Sequence, residues 1–189
     1  MQYKTILSTL LTICILACPA LAGEGRARID LRSTAGELKI TPPTNKKFKV
    51  SHASWIKDPV AKKQYVTSDF SVSDQQWTQI DMQVTSTEDC KMLISLRGLY
   101  SKTQRHWSYF DDIAIEGAEL KNGGFEETGG WKVPKSQQVV DESLAHSGKG
   151  AVLVWHDKAA YQTINVKAGV PVILTAWVKY NTAEDKEPK

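Results

Sequence analysis

Cysteine is scarce in this chain. Only three cysteines occur among 189 residues, and two of them, Cys14 and Cys18, lie in the first 20 positions. If that leading segment is removed, Cys90 remains alone, and one thiol cannot form an internal disulfide. The fold must therefore depend on a hydrophobic core rather than on covalent cross-links. No motif of a nucleophilic cysteine surrounds Cys90, which we expect to be a half-buried strand residue.

Long apolar runs and an excess of one charge are also missing. After the leading segment, no hydrophobic run approaches the roughly 20 residues that a membrane-spanning helix needs. We therefore expect no transmembrane helix. Without Lys4 the chain holds 23 basic and 21 acidic residues. No basic stripe of the kind that neutralises phosphates stands out, so we expect no nucleic-acid partner.

The usual catalytic signatures are absent as well. The four histidines are scattered, and none belongs to a His-Glu-x-x-His zinc motif. The sequence also has no Gly-x-Ser-x-Gly nucleophile elbow. Acidic residues occur as adjacent pairs such as Glu126 and Glu127. Neighbouring residues on a strand point to opposite faces, so such a pair could not easily flank one glycosidic bond. We expect a protein that is not an enzyme.

The first 22 residues have the pattern of a signal peptide. Lys4 supplies the positive charge, Ile6–Leu16 is apolar, and Ala20-Leu21-Ala22 is a small-x-small cleavage site. A cut before Cys18 is an alternative, because residues 15–18 loosely match a bacterial lipoprotein box that would place a lipid anchor on Cys18. In either case we expect an exported protein, secreted, periplasmic or at the cell surface. The remaining length of about 165 residues suits one domain.

Short alternating runs separated by turn residues predict an all-β protein. No stretch of a dozen residues has helical periodicity, and the pattern suits a sandwich or barrel of many short strands. The charged segment 181–189 is expected to be a disordered tail. The predicted strands are Ala27–Leu31, Glu37–Thr41, Phe48–Ile56, Tyr65–Val72, Trp77–Val84, Lys91–Leu96, Ser108–Ile115, Gln137–Asp141, Gly150–Trp155, Tyr161–Val166 and Val170–Lys179.

One pattern occurs twice. In each copy, a strand is followed by a turn with Pro or Gly and then by a longer strand that ends in Trp-aliphatic-Lys. The tryptophan of this ending is Trp55 in the first copy and Trp177 in the second, and the two are 122 positions apart. The first copy has almost nothing before it, and the second has only the charged tail after it. We interpret 25–116 as the later part of one module and 118–180 as the earlier part of a second module.

The motifs at the junction resemble a known family. They are YFDDIAI at 109–115, NGGFE at 122–126, Gly130-Trp131 and the small-residue turn HSGKGAV at 146–152. In this order they resemble jelly-roll carbohydrate-binding modules of the xylan- and cellulose-binding kind, within the galactose-binding-like superfamily. The resemblance covers nearly all of the chain after residue 22. However, the motifs that end the domain in this family come first here, and the motifs that begin it come later.

Two arrangements fit that reversed order. The chain is either a slice of a tandem array or one composite, circularly permuted sandwich in which the later half completes the earlier one. We favour the composite sandwich, because separate halves would leave sheet edges and an apolar face bare.

The resemblance also implies a structural calcium ion. Its ligands would be Asp111 of the closing strand, Glu126 of the opening strand and backbone carbonyls around Ser147. Calcium binds 6–8 oxygens, which two carboxylates and loop carbonyls could supply. Asp111 shares parity with Ile113 and Ile115, so we expect it to face the core, where a carboxylate needs a cation or donors. Asp112 is expected to face solvent. The alternative to a calcium site is that these are ordinary turn carboxylates hydrogen-bonded to the backbone.

Sugar-binding surfaces use exposed aromatic rings as platforms, because the apolar face of a pyranose packs on a flat ring. Trp177 and Trp55 lie opposite the apolar face of their strands, and Trp107 lies in a polar context that suits a loop tip. These three are the candidate ligand-binding residues. Trp77 and Trp131 match family positions that are usually in the core.

The sequence therefore predicts an exported, non-catalytic module that binds a polysaccharide or glycan. One alternative is a structural or protein-interaction sandwich without sugar binding, in which other segments cover the Trp177 face. A minor alternative is a fragment of a polysaccharide-active enzyme.

Overall fold

The computed structural model describes residues 24–41, 50–58, 63–100 and 105–182. The expected signal peptide, Cys18 and residues 183–189 lie outside the described residues. Eleven β-strands confirm the strands predicted from the sequence, and the described residues contain one short 3-10 turn, Lys135–Gln137. The strands are β1 (Glu24–Ser33), β2 (Leu38–Thr41), β3 (Val50–Asp58), β4 (Lys63–Ser73), β5 (Thr78–Ser86), β6 (Cys90–Gly98), β7 (Trp107–Glu116), β8 (Gln138–Val140), β9 (Gly150–Val154), β10 (Ala160–Val166) and β11 (Pro171–Asn181).

The strands form two packed antiparallel sheets, which confirms the all-β sandwich. A five-stranded sheet has the order β10-β6-β1-β4-β3, and a six-stranded sheet has the order β2-β5-β11-β7-β9-β8. Cys90, the first residue of β6, is half-buried and free, as expected.

Each sheet contains strands from both halves of the sequence. β10 pairs with β6, and β11 lies between β5 and β7 and pairs with both. β9 pairs with β7. The sandwich is therefore composite, because strands from the later half are hydrogen-bonded to strands from the earlier half in both sheets.

The core lies between the sheets and follows the period-2 alternation of the strands. In β11, the side chains of Val172, Leu174, Ala176 and Val178 are buried, while the residues between them are half-buried on the other face. Every second residue of β1, from Ala27 to Leu31, is likewise buried in the same core.

The junction between the halves also enters this core. Ile113 of β7 and Phe125 are both buried in it. Residues 122–126 form turns rather than the opening strand that the family has there, and the Ile113 N–H donates to the Gly123 carbonyl at 2.9 Å. At the other end, β11 continues to Asn181, which pairs with Trp107, so the expected disordered tail cannot begin at Asn181.

Candidate functional site

A β-bulge in β7 decides which way the paired aspartates point. Thr175 of β11 pairs with Ala114 and Trp177 pairs with Asp111, so Asp112 and Ile113 together face the single residue Ala176. Asp112 has φ of 45°, a left-handed conformation that few non-glycine residues adopt. An extra residue of this kind shifts the parity of the strand.

The expected parity of Asp111 is therefore wrong. Phe110, before the bulge, and Ile113, within it, are the core residues of β7. Asp111 pairs with Trp177 and lies on the outer face, which we define as the side of the six-stranded sheet that points away from the core. It is nevertheless fully buried, because the turn 146–150 covers it.

Backbone donors surround the Asp111 carboxylate. Its Oδ2 accepts the N–H groups of His146 at 2.8 Å and Ser147 at 3.1 Å, and its Oδ1 accepts the N–H of Asp112 at 2.6 Å. Burial raises the pKa of Asp111 above its usual range, although the three N–H donors act to lower it. The carboxylate thus fastens the turn to β7.

Glu126 holds the same turn from its other end. Its Oε1 accepts the N–H groups of Lys149 and Gly150, each at 2.9 Å. Gly148 has φ of 57°, which strains any other residue, and a Cβ there would lie 2.1 Å from the Glu126 carboxylate and displace it from the turn. The three residues expected to ligate calcium, Asp111, Glu126 and Ser147, therefore meet at one turn.

The fit of this turn to a calcium ion is partial. Asp111 is enclosed and receives three N–H donors, whereas Glu126 is exposed. Within the described ranges, no group of three or more His, Cys, Asp or Glu side chains could hold a metal ion. Calcium at this turn would thus depend mainly on Glu126, main-chain carbonyls near Ser147 and water.

A cluster of rings lies beside the turn, on the outer face. The His146 imidazole stacks on the Trp177 indole with 3.9 Å between centroids and 13° between planes. Trp77 meets His146 edge-on at 5.6 Å and Tyr109 at 6.4 Å. We call Trp77, Tyr109, His146 and Trp177 the ring cluster. All four residues are half-buried.

Asp112 positions the histidine of the ring cluster. Its Oδ2 lies 2.7 Å from Nδ1 of His146, and its Oδ1 accepts the Ser147 hydroxyl at 2.8 Å. The Asp112 side chain is 31% exposed, so it faces solvent in part. The turn is thus held by two adjacent carboxylates, which bind its backbone and its side chains respectively.

Polar side chains continue the outer face away from the ring cluster. Thr175 and Lys179 lie on either side of Trp177 in β11. On β5, Asp81 lies across from Thr175 and Gln79 lies across from Trp177. All four are exposed or half-buried. The face therefore combines rings at one end with amide, hydroxyl and charged groups beyond them.

The tryptophans do not all stand where the sequence suggested. Trp131 is in the core as expected, 5.4 Å from the Phe125 ring. Trp77 is not in the core but in the ring cluster, because it precedes β5 with the parity of Gln79 rather than Ile80. The loop-tip position expected for Trp107 is wrong: it is 2% exposed at the start of β7, beside Trp155. A buried ring cannot offer a face to a sugar.

The two repeated tryptophans have different outcomes. Trp177 is half-buried on the outer face, opposite the core residues of β11, as the alternation predicted. Trp55 pairs with Tyr65 across β3 and β4 through its backbone, but its side chain lies outside the described part of the structure.

Comparisons with family models, with curated proteins and with solved structures found no match for this chain. In the part of the chain that the structure describes, no helix has the length and apolar character needed to cross a membrane. The ring cluster must be interpreted from its own geometry.

Four residues of the site are not among the binding candidates that the sequence offers. His146, Asp112 and Tyr109 have no predicted binding role, and Trp77 is predicted to lie in the core. A signal for His146 was present, because the family resemblance placed the small-residue turn beside the closing aspartates. The bulge had no such signal, since nothing in YFDDIAI marks an extra residue.

Proposed function

We propose that the chain is an exported, non-catalytic glycan-binding protein and that its ligand lies on the outer face of the six-stranded sheet. The observation that carries this proposal is the ring cluster, which gathers Trp77, Tyr109 and Trp177 beside polar side chains. Half-exposed rings next to hydrogen-bonding groups are the combination that sugar recognition uses. A neutral polysaccharide is the ligand class that suits this mixture.

His146 limits how a sugar can reach Trp177. The imidazole occupies one face of the indole at a stacking distance, which is where a pyranose ring would lie. Binding on that face requires the turn 146–150 to move away, whereas binding across the exposed ring edges does not. His146 is therefore expected to reduce access to Trp177.

Retention on immobilised neutral polysaccharides tests the proposal. We expect the full chain to be retained by at least one member of a panel of xylans, glucans, mannans and galactans, and Trp177→Ala to lose at least about tenfold in affinity. Tyr100→Ala is the control, because Tyr100 is a 53% exposed ring after β6, in the other sheet. A wild-type chain with native circular dichroism that no member of the panel retains would contradict the proposal.

His146→Ala gives a second, opposite expectation. Removing the imidazole uncovers a face of Trp177, so affinity should rise by about two- to fivefold, because stacking area becomes available without displacing the turn. An affinity that falls together with that of Trp177→Ala would show instead that His146 is part of the binding surface. Both variants are compared at equal folded fraction, measured by thermal melts.

A structural or protein-interaction sandwich without sugar binding is the second candidate. The stacked His146 favours it, because the chain's own turn covers the ring that should be open. Its signature would be wild-type chain that binds no glycan together with a large loss of stability in Trp177→Ala.

Calcium at the turn 146–150 is part of the proposal and has its own test. We expect 5 mM calcium to raise the melting temperature relative to EDTA, and Glu126→Gln to abolish that rise, because the exposed carboxylate is the accessible anionic ligand. Equal melting temperatures with calcium and with EDTA would rule the site out.

Export is tested on the chain itself. The signal interpretation expects a mature N-terminus at Gly23 after secretion in a bacterial host, and the lipoprotein alternative expects a lipid-modified Cys18. Intact mass of the exported protein distinguishes the two. Retention of the full 189 residues in the cell would contradict both.

A further inference from the structure

The side of the five-stranded sheet that points away from the core carries an excess of positive charge. We call this side the arginine face. Four of the five arginines in the chain project from it, because they alternate with core residues in β1 and β6. Among the outward side chains that the structure describes on this sheet, two are acidic and five are basic: Asp30 and Asp69 against Arg26, Arg28, Arg32, Lys91 and Arg97.

Two of these arginines are already neutralised. Arg28 forms a two-point ion pair with Asp69, with Nε to Oδ1 at 2.6 Å and Nη2 to Oδ2 at 2.9 Å. The Arg97 Nε lies 3.2 Å from Oδ2 of Asp30, and both Nη groups of Arg97 donate to other protein oxygens. Both acidic side chains are used in this way, so the positive surplus belongs to the other three cations.

Arg32 and Lys91 are two of those three cations, and they are diagonal neighbours. Arg32 pairs with Leu93, two residues along β6 from Lys91, and such a relation places Cα atoms about 7–8 Å apart. The nearest acidic residue along that strand, Asp89, is paired with Lys167 at 2.8 Å. Among the described residues, no carboxylate lies within ion-pairing distance of Arg32 or Lys91. An oxyanion between the two would interact with both charges.

The Arg32 guanidinium is oriented by the fold. Its Cζ atom lies 4.5 Å from the centre of the Tyr65 ring, and its Nη2 donates to the Tyr65 hydroxyl at 3.2 Å. That hydroxyl in turn donates to Asp30 at 2.7 Å. A planar guanidinium held in this way keeps its full charge and loses little conformational freedom when it binds an oxyanion.

Neutral polar groups complete this end of the arginine face. Thr163 pairs with Leu93, and Asn165 pairs with Lys91, both on the edge strand β10. Lys91, Thr163 and Asn165 are exposed, whereas Arg32 is half-buried. A hydroxyl and an amide can exchange hydrogen bonds with sugar hydroxyls, while the two cations hold an acidic group. We call Arg32, Lys91, Thr163 and Asn165 the cation-pair site.

This composition favours an acidic polysaccharide over other polyanions. Proteins that bind duplex DNA neutralise several phosphates together, and single strands need open ring faces for their bases. At this site Arg32 occupies one face of the Tyr65 ring. Anionic membranes attract clusters of about four to eight basic residues. Two adjacent cations beside uncharged hydrogen-bonding groups suit a polymer whose charges are separated by neutral hydroxyls.

We propose that the cation-pair site binds the carboxylate or sulfate groups of an acidic polysaccharide. The acidic group lies between Arg32 and Lys91 and accepts hydrogen bonds from both. Hydroxyl groups of the same sugar chain contact Thr163 and Asn165. This goes beyond the function proposed for the ring cluster, because that cluster lies on the other sheet and shares no residue with the cation-pair site.

Dextran sulfate and polygalacturonate are the acidic probes, and uncharged dextran is the neutral one. By isothermal titration calorimetry of the full chain in about 0.15 M salt, we expect at least one acidic probe to bind at least about tenfold more tightly than dextran. Arg32→Gln combined with Lys91→Gln should weaken that binding by about tenfold. Lys39→Gln combined with Lys135→Gln is the control, because it removes the same charge from two exposed lysines outside the five-stranded sheet.

Thr163→Glu tests the same site without removing a packed side chain. Thr163 is exposed, so a glutamate there leaves the core intact and offers a competing carboxylate to the two cations. Binding of the acidic probe should fall at least about fivefold. Thr163→Gln keeps a neutral hydrogen-bonding group and should lose less. All variants are compared at equal folded fraction, measured by thermal melts.

Four results would overturn the proposal. The first is a wild-type chain that binds neither acidic probe. The second is a control with both lysines replaced that loses as much affinity as Arg32→Gln with Lys91→Gln, since binding would then reflect net charge. The third is tighter binding of anionic phospholipid vesicles or duplex DNA than of either probe. The fourth is loss of acidic-probe binding in Trp177→Ala, which would assign that binding to the ring cluster.

The two proposed sites can fail separately. Retention on neutral polysaccharides depends on Trp177, and it should be unchanged in Arg32→Gln with Lys91→Gln. A chain that binds an acidic probe through Arg32 and Lys91 but no neutral polysaccharide would leave only the cation-pair site. The reverse result would leave only the ring cluster.

Discussion

Asp111 is a buried carboxyl group that has no basic side chain against it among the residues that the structure describes. Its pKa is raised by burial, yet its three backbone donors come from its own strand and from the turn 146–150. Hydrogen bonds to an ionised group are among the stronger ones in proteins, and leaving their donors unpaired in the interior is costly. The role of Asp111 in the fold is therefore to hold the turn that carries His146.

Replacement of Asp111 tests that role. We expect Asp111→Ala to lower the free energy of unfolding by about 2–4 kcal/mol, because it leaves three N–H groups unpaired. Asp111→Asn should cost less, about 1–2 kcal/mol, because one amide oxygen can still accept both N–H groups of the turn. Urea denaturation measures both. Equal losses for the two variants would mean that charge, rather than these hydrogen bonds, sets the contribution.

At the scale of elements, β11 joins the two halves of the sequence. It is paired along its length with β5 on one side and with β7 on the other. The turn after β7 must bring the chain close to the start of β11, and Gly117 does so in a left-handed conformation with φ of 81°. A Cβ at Gly117 would lie 2.1 Å from the carbonyl oxygen of Pro171.

Gly117→Ala is therefore expected to destabilise the sandwich by at least about 2 kcal/mol, since strain in φ and a collision with backbone add together. Gly169→Ala is the matched control. Gly169 has a similar φ of 71°, but a Cβ there meets nothing within 4 Å, so only the strain of about 1 kcal/mol remains. Melting temperatures of the two variants should differ clearly. A control that falls as far as Gly117→Ala would show that the close approach to β11 is unimportant.

At the scale of the whole molecule, neither half has a closed core of its own. Removing the later half takes β11, β9 and β8 out of the six-stranded sheet and the edge strand β10 out of the five-stranded one. The earlier half would then expose the apolar sides of β5 and β7 along with unpaired strand edges. Cooperative stability should belong to the composite sandwich alone.

Complementation of fragments tests this. Residues 24–116 and 118–182, expressed separately, should each lack a cooperative thermal transition, and an equimolar mixture should regain the dispersed NMR spectrum of the intact chain. A fragment 24–116 that melts cooperatively by itself, with unchanged dispersion on mixing, would contradict the composite sandwich as the folding unit.

Much of this protein follows from local sequence. Period-2 alternation and turn residues determined where each strand lies, and the same alternation separated the core side of β11 from Trp177. Side-chain parity depends only on the extended backbone, so it can be read wherever no residue is inserted. The buried position of Trp131 was also predictable, although only through a family resemblance.

Tertiary structure decided the rest, because the remaining features depend on contacts between distant segments. The bulge that turns Asp111 to the outer face forms only when β7 meets β11. Trp107 is buried where β7 meets β11 and where the Trp155 ring lies beside it. The ring cluster likewise joins residues 77, 109, 146 and 177. Whether a segment forms a strand depends on residues close to it in the sequence. A site on this sandwich depends instead on which strands pair with one another.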